Sequence, residues 1–381
     1  MAPEETNEGL LRELRLVTAI TVVIGTVIGS GIFFGANRVA GGVDTVWAMF
    51  AVWIGAGLIT LLGALTYAEF GAMYPRSGSD YVYVSKSLGP RWGFLSGWSA
   101  FSINIPASIA FLALAAGNQF DVLKPDEHQE FLYPGFSEQF TAIAIVALFT
   151  VINYLGVRQG GRTQRILTFA KVGLMLGLAL VAFFSPRSDY GNFFDVNRDG
   201  DGRFVFALVA ALFAYDGWSS ITRISGEVKD PQRTVPRALT FGVLAIIGIY
   251  VVMNAGYLVA LGFSGMEAGS ATSSRPIASA AAGVLVGNAG EAVVAAIVAV
   301  SILGTINGLI LSGPRIYFAM ARDRLFFPAI GKVHDEHRTP HVSIGVQSAL
   351  AVLLILFVPF DFLQNYVVLA AWVSYVLAGI G

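Results

Sequence analysis

About ten stretches of this chain are apolar for long enough to cross a lipid bilayer, which takes roughly 20 residues as an α-helix. They cover residues 16–36, 45–73, 92–116, 139–156, 164–185, 203–225, 238–262, 287–318, 342–359 and 362–381. These runs are apolar on all sides, as expected for helices surrounded by lipid or by one another. Composition agrees. Of 381 residues, 55% are hydrophobic and 13% charged, against about 25% charged in soluble domains. Too little polar surface exists to face water all round. The 43 Gly and 28 Phe suit close helix packing in a membrane. The predicted fold is an all-α polytopic membrane protein.

Lys and Arg are unevenly divided between the two sets of connections. With the N-terminus cytoplasmic, the outer side holds Arg38, Lys124, Arg187, Arg198, Arg203 and Arg275, and the inner side holds most of the others. That bias fits a cytoplasmic N-terminus and a cell-membrane, multi-pass protein. Residues 1–15 lack the positive start and short apolar core of a secretory signal.

Several functions are excluded. The net charge of −1 offers no basic surface for nucleic acid. With no Cys, neither a thiolate metal site nor a disulfide to a companion subunit can form. The four histidines, His128, His334, His337 and His341, fall in polar connections, so no metal site is expected. No nucleophile elbow or phosphate-binding loop occurs, so neither enzymatic catalysis nor a cofactor is predicted. Asp195-Val196-Asn197-Arg198-Asp199-Gly200-Asp201 imitates the start of a calcium loop, but Phe206 stands where the twelfth-position Glu is needed.

Two spans carry helix breakers near their middle. The first contains Gly25, Gly29 and Gly31, each costing about 1 kcal/mol relative to Ala in a helix. The sixth contains Tyr215-Asp216-Gly217-Trp218-Ser219-Ser220. Irregular backbone at bilayer depth survives only against protein or a wet cavity. The two spans lie five apart, and a five-helix repeat reverses orientation. Interrupted helices at matching positions of two inverted halves point to a transporter site, where freed amides hold a carboxylate and freed carbonyls a cation. Taken singly, Gly25-x-x-x-Gly29 also fits a helix-packing face, and Gly217 a kink.

These residues carry a family likeness. Gly29-Ser30-Gly31-Ile32-Phe33, then Ala68 to Gly78, Tyr81-Val82-Tyr83, Gly97-Trp98, Phe213 to Trp218, Glu227 to Pro231, Pro236-Arg237, and Arg315 to Arg322-Asp323 with Pro328, resemble amino acid–polyamine–organocation transporters. Among these, the L-type amino acid transporter-like permeases are most similar. The resemblance implies the leucine-transporter type fold, with five-helix repeats at 16–185 and 203–381 after a segment 1–15, discontinuous helices one and six, and alternating access. It implies that Ile28, Gly29, Ser30, Gly31 and Ile32 hold a substrate carboxylate, that Phe213, Ala214 and Tyr215 with Gly217 hold its amino group, and that the Phe213 ring and Glu227 act as gates. Lys171 would occupy a sodium position between helices one and eight, as a proton carrier or a fixed cation; from the sequence alone, a snorkelling lysine fits too. The implied function is secondary transport of amino acids, neutral ones favoured by the small Ser30 and Ala214. A membrane amino-acid sensor, a channel, and a permease for cationic amino acids or polyamines are the alternatives.

The chain departs from the family pattern in places. It has Gly226-Glu227 where relatives often have paired acids, and an extra Asp216, read as a half-helix cap or a substrate-selecting acid. Relatives usually have twelve helices, and this sequence ends within what looks like the tenth. Asn104, Pro106, Asn254 and Asn307 are polar or kinking positions inside spans, each facing either substrate or a neighbouring helix.

Overall fold

The computed structural model describes residues 4–5, 9–122, 136–194, 203–268, 277–360 and 362–363. The protein is predominantly helical, with apolar helices throughout, as a polytopic membrane protein requires. The helices are α1 (Leu16–Val27), α2 (Gly31–Ala40), α3 (Val46–Met73), α4 (Asp80–Ser87), α5 (Pro90–Ser99), α6 (Ile105–Val122), α7 (Phe136–Tyr154) and α8 (Val157–Phe184). They continue with α9 (Phe204–Ala214), α10 (Ser220–Arg223), α11 (Pro231–Ala268), α12 (Ile277–Val286), α13 (Gly290–Ser312), α14 (Pro314–Arg322) and α15 (His341–Phe357). A π-helical turn, Ala100–Asn104, joins α5 to α6.

Five helical runs among the described residues are long and apolar enough to span a bilayer: Val46–Met73, Pro90–Phe120, Val157–Phe184, Pro231–Met266 and Gly290–Arg322. The α1–α2 pair makes a sixth if its 52° bend is counted within one span. Most of the expected tenth span, the calcium-like loop and His128 lie outside the described residues.

One boundary moved where a polar stretch continues a helix with only its small residues packed inward. The fifth span was expected from residue 164, but α8 begins at Val157. Its first two turns read as a loop because Arg158, Gln159 and Arg162 are polar. Gly160, Gly161 and Gln164 nevertheless face inward, where Gln164 Oε1 accepts a hydrogen bond from Asn307 Nδ2 at 2.7 Å. Asn307 also accepts from Asn153 Nδ2 at 3.0 Å, so it serves helix packing. α4 and α12, both shorter than a span, fall outside the ten apolar stretches.

The core helix α1 is enclosed by α8, α11 and α13. Small residues permit the approach. A Cβ added to Gly308 of α13 would meet the Thr26 methyl at 2.2 Å, and one added to Gly25 would meet the Gln164 amide at 2.1 Å. The N-terminal segment is tied down as well. Leu10 and Leu14 are buried, the amides of Glu13 and Leu14 both donate to Glu227 O at 3.0 Å, and Lys229 N donates to Leu14 O at 2.8 Å.

Candidate substrate site

The first span breaks after Val27 and resumes at Gly31. At such a break the carbonyls that end one half-helix and the amides that begin the next lose their intrahelical partners. The carbonyls are recruited by side chains. Lys171 Nζ donates to Gly25 O at 2.9 Å, to Ile28 O at 2.6 Å and to Ser301 O at 2.6 Å. Ser301 Oγ adds bonds to Ile28 O at 2.9 Å and Gly29 O at 3.1 Å. Lys171 is completely buried, which rules out the snorkelling alternative. Its Nζ thus satisfies the carbonyl end of α1, while the amide end of α2 keeps the partial positive charge of a helix N-terminus.

A second helix break lies at Tyr215–Ser219, between α9 and the single turn of α10. Gly217 has φ +104°, a left-handed backbone that favours glycine. A Cβ there would also lie 2.9 Å from Thr26 O. The two breaks touch directly, with Thr26 Oγ1 sharing its one proton between Val22 O at 2.7 Å and Gly217 O at 3.0 Å. Tyr250 Oη donates to Ala214 O at 2.7 Å, and Asp216 N donates to Phe213 O at 3.1 Å. Each of these two carbonyls retains a second lone pair. Asp216 does not cap α10, whose N-cap is Ser219; its Oδ1 accepts from Gly217 N at 2.7 Å, within the turn itself.

Between the breaks lies a cavity of about 120 Å³. One ordered water requires about 10–15 Å³ by this kind of measure, so a small zwitterion has room. Gly29, Ser30, Gly31, Phe213, Ala214 and Gly217 line it, and Asp216 faces it too. Ile28, Ile32 and Tyr215 do not line it. All three are buried behind it, with Tyr215 Oη turned toward Trp53 O at 3.1 Å. The opposite wall is the α5–α6 run, which presents Ser96, Ala100, Asn104 and Ser108, spaced four apart along one helical face. Of the polar positions inside spans, Asn104 faces the cavity, whereas Asn254 and Asn307 are buried away from it.

Glu227 does not reach the cavity. It forms a fully buried bidentate pair with Arg315, Nε–Oε2 2.8 Å and Nη2–Oε1 3.0 Å. A second pair, Arg76–Asp323 at 2.6 Å, is partly exposed, and Tyr81 Oη donates to Asp323 Oδ2 at 2.8 Å. Burial, followed by that bond, pushes the Tyr81 phenol above its ordinary value, so it remains a neutral donor.

Comparison with known proteins agrees with this architecture. A family model described as amino acid permease matches residues 14–381. The serine/threonine exchanger SteT of Bacillus subtilis (strain 168) is 36% identical over 98% of this chain and 83% of its own length. The human b(0,+)-type amino acid transporter 1 is 28% identical over 99% of this chain and 77% of its own. The human large neutral amino acids transporter small subunit 2 is 29% identical over 100% of this chain and 71% of its own. A match of this extent, on a chain with two helix breaks, after Val27 and after Ala214, around one cavity, has one meaning: the chain belongs to the amino acid permease family.

Proposed function

We propose that the chain is a secondary active transporter of small neutral amino acids that works by alternating access. The observation that carries this reading is the meeting of two broken helices at one cavity. α2 opens onto it with its N-terminal amides at Gly31, and α9 ends on it at Ala214. The first favours a carboxylate and the second an ammonium. In this reading Gly29, Ser30 and Gly31 bind the α-carboxylate, the Phe213–Ala214 backbone binds the α-amino group, and the Phe213 ring closes over the substrate. Ile28, Ile32 and Tyr215 hold the shape of the site from behind. Lys171 serves as the cation that couples the carbonyl end of α1 to α13, either as a fixed charge in exchange or as a proton carrier in symport. The Glu227–Arg315 pair braces the inner gate.

The same reading arranges residues 16–185 and 203–381 as two inverted five-helix repeats, with the N-terminus cytoplasmic. The small lining residues Ser30, Ala100 and Ala214 support a short side chain, as does the relative named as a serine/threonine exchanger. The test is a competition panel of the standard amino acids against labelled uptake, run at acid and neutral pH and with sodium removed. Competition confined to small neutral amino acids is expected. Competition by polyamines or cationic amino acids alone would overturn the substrate assignment.

A further inference from the structure

Two opposite charges share the lining of the cavity with the helix breaks. Arg223 closes the single turn of α10, and Asp80 opens α4; both line the cavity. Their backbones are fastened together. Gly78 N donates to Arg223 O at 3.1 Å, and the Ser79 and Thr222 hydroxyls lie 2.6 Å apart. That hydroxyl contact holds Ser79 at φ +44°, a left-handed conformation that a serine adopts only under constraint, and so fixes where Asp80 begins its helix. Despite this proximity, the two side chains form no ion pair with each other among the described residues. Arg223 Nε is buried without a hydrogen-bond partner. Asp80 is 8% exposed and takes only a long 3.4 Å bond from its neighbour Ser79. Two other charge pairs among the described residues are matched, Glu227 with Arg315 and Arg76 with Asp323.

A guanidinium with its Nε buried and unbonded and a buried carboxylate, sharing a cavity but not a bond, are completed by a ligand carrying both charges. We infer that Arg223 and Asp80 form a second zwitterion subsite, a staging point between the helix breaks and one face of the membrane. Arg223 takes the α-carboxylate of an amino acid there, and Asp80 takes its ammonium. This rests on the transporter reading above and adds to it a substrate station that the broken helices do not contain.

The subsite serves one membrane face only, so its test is sided. Uptake of labelled L-serine is measured in right-side-out and inside-out vesicles carrying the full chain. Arg223→Gln is expected to raise KM about fivefold or more on one face, consistent with loss of a charge-assisted contact, and to leave KM on the other face within about twofold. Asp80→Asn should raise KM on the same face, and Arg223→Lys should restore much of the loss. Should Arg223→Gln fail to fold, Asp80→Asn and Arg223→Lys carry the test. Unchanged KM on both faces, or an equal rise on both, overturns the subsite while leaving the transporter reading intact. If the wild-type chain takes up neither L-serine nor any other standard amino acid, the transporter reading falls and the subsite falls with it.

Discussion

Gly31 and Ala214 belong to different halves of the chain, yet a Cβ built on Gly31 would lie 2.7 Å from Ala214 Cα and 3.0 Å from its Cβ. The obstacle is backbone, which cannot step aside as the end of a flexible side chain does. Gly31→Val is therefore expected to force the two breaks apart and to reduce binding of a neutral amino acid at least about tenfold, since overpacking costs about 1–3 kcal/mol. Gly173 in α8 has open space around it, so Gly173→Ala should bind normally and serve as the control. Equilibrium binding of labelled L-serine to both variants checks this.

Lys171 donates to three carbonyls at a fully buried position. Lys171→Met would remove this donor from all three carbonyls, of which Ile28 O keeps the Ser301 hydroxyl; each lost bond is worth about 0.5–1.5 kcal/mol, more if the donor is charged. The expected outcome is a folded protein, monodisperse by size-exclusion chromatography, with transport reduced about tenfold or more. Full activity in that variant would remove Lys171 from the mechanism.

Thr26 Oγ1 shares its one proton between Val22 O within α1 at 2.7 Å and Gly217 O across the breaks at 3.0 Å. Thr26→Val keeps the shape and removes the donor, a change worth about 0.5–1.5 kcal/mol. A loss of affinity of about three- to tenfold is expected, smaller than for Gly31→Val, and a titration of labelled L-serine measures it.

Glu227 and Arg315 are buried together without solvent contact. Removing one partner strands a charge, which costs about 3–5 kcal/mol, whereas replacing both with apolar residues is often close to neutral. Glu227→Leu alone should lower the apparent melting temperature sharply. The double variant Glu227→Leu with Arg315→Met should recover most of it. Equal melting temperatures for the single and double variants would contradict a buried pair.

The parts of the site that could be read from sequence are those where one residue violates the rule for a membrane helix. Gly25, Gly29, Gly31 and Gly217 interrupt apolar runs, and Lys171 puts a charge among them; all mark the region where the structure breaks and refastens its helices. The α5–α6 wall gave no comparable signal. Ser96, Asn104 and Ser108 are residue types that also mediate ordinary helix packing, and nothing local separates Asn104, which faces the cavity, from Asn307, which bonds Asn153 and Gln164. Partnerships were equally hidden. The ion pair of Glu227 joins residues far apart in sequence, and Arg223 gains its significance from Asp80 across a loop contact. The start of α8 lies before the expected residue 164 because Arg158, Gln159 and Arg162 are polar and exposed, while only Val157, Gly160 and Gly161 of those turns pack inward.

The central claim is that helices one and six, broken at one cavity, carry an amino acid across the membrane. The most direct measurement is counterflow: purified chain in liposomes preloaded with unlabelled L-serine, with labelled L-serine added outside. The account predicts saturable uptake that preloading accelerates and that Gly31→Val abolishes. Saturable binding without accumulation in wild-type liposomes, or flux that never saturates, would contradict it.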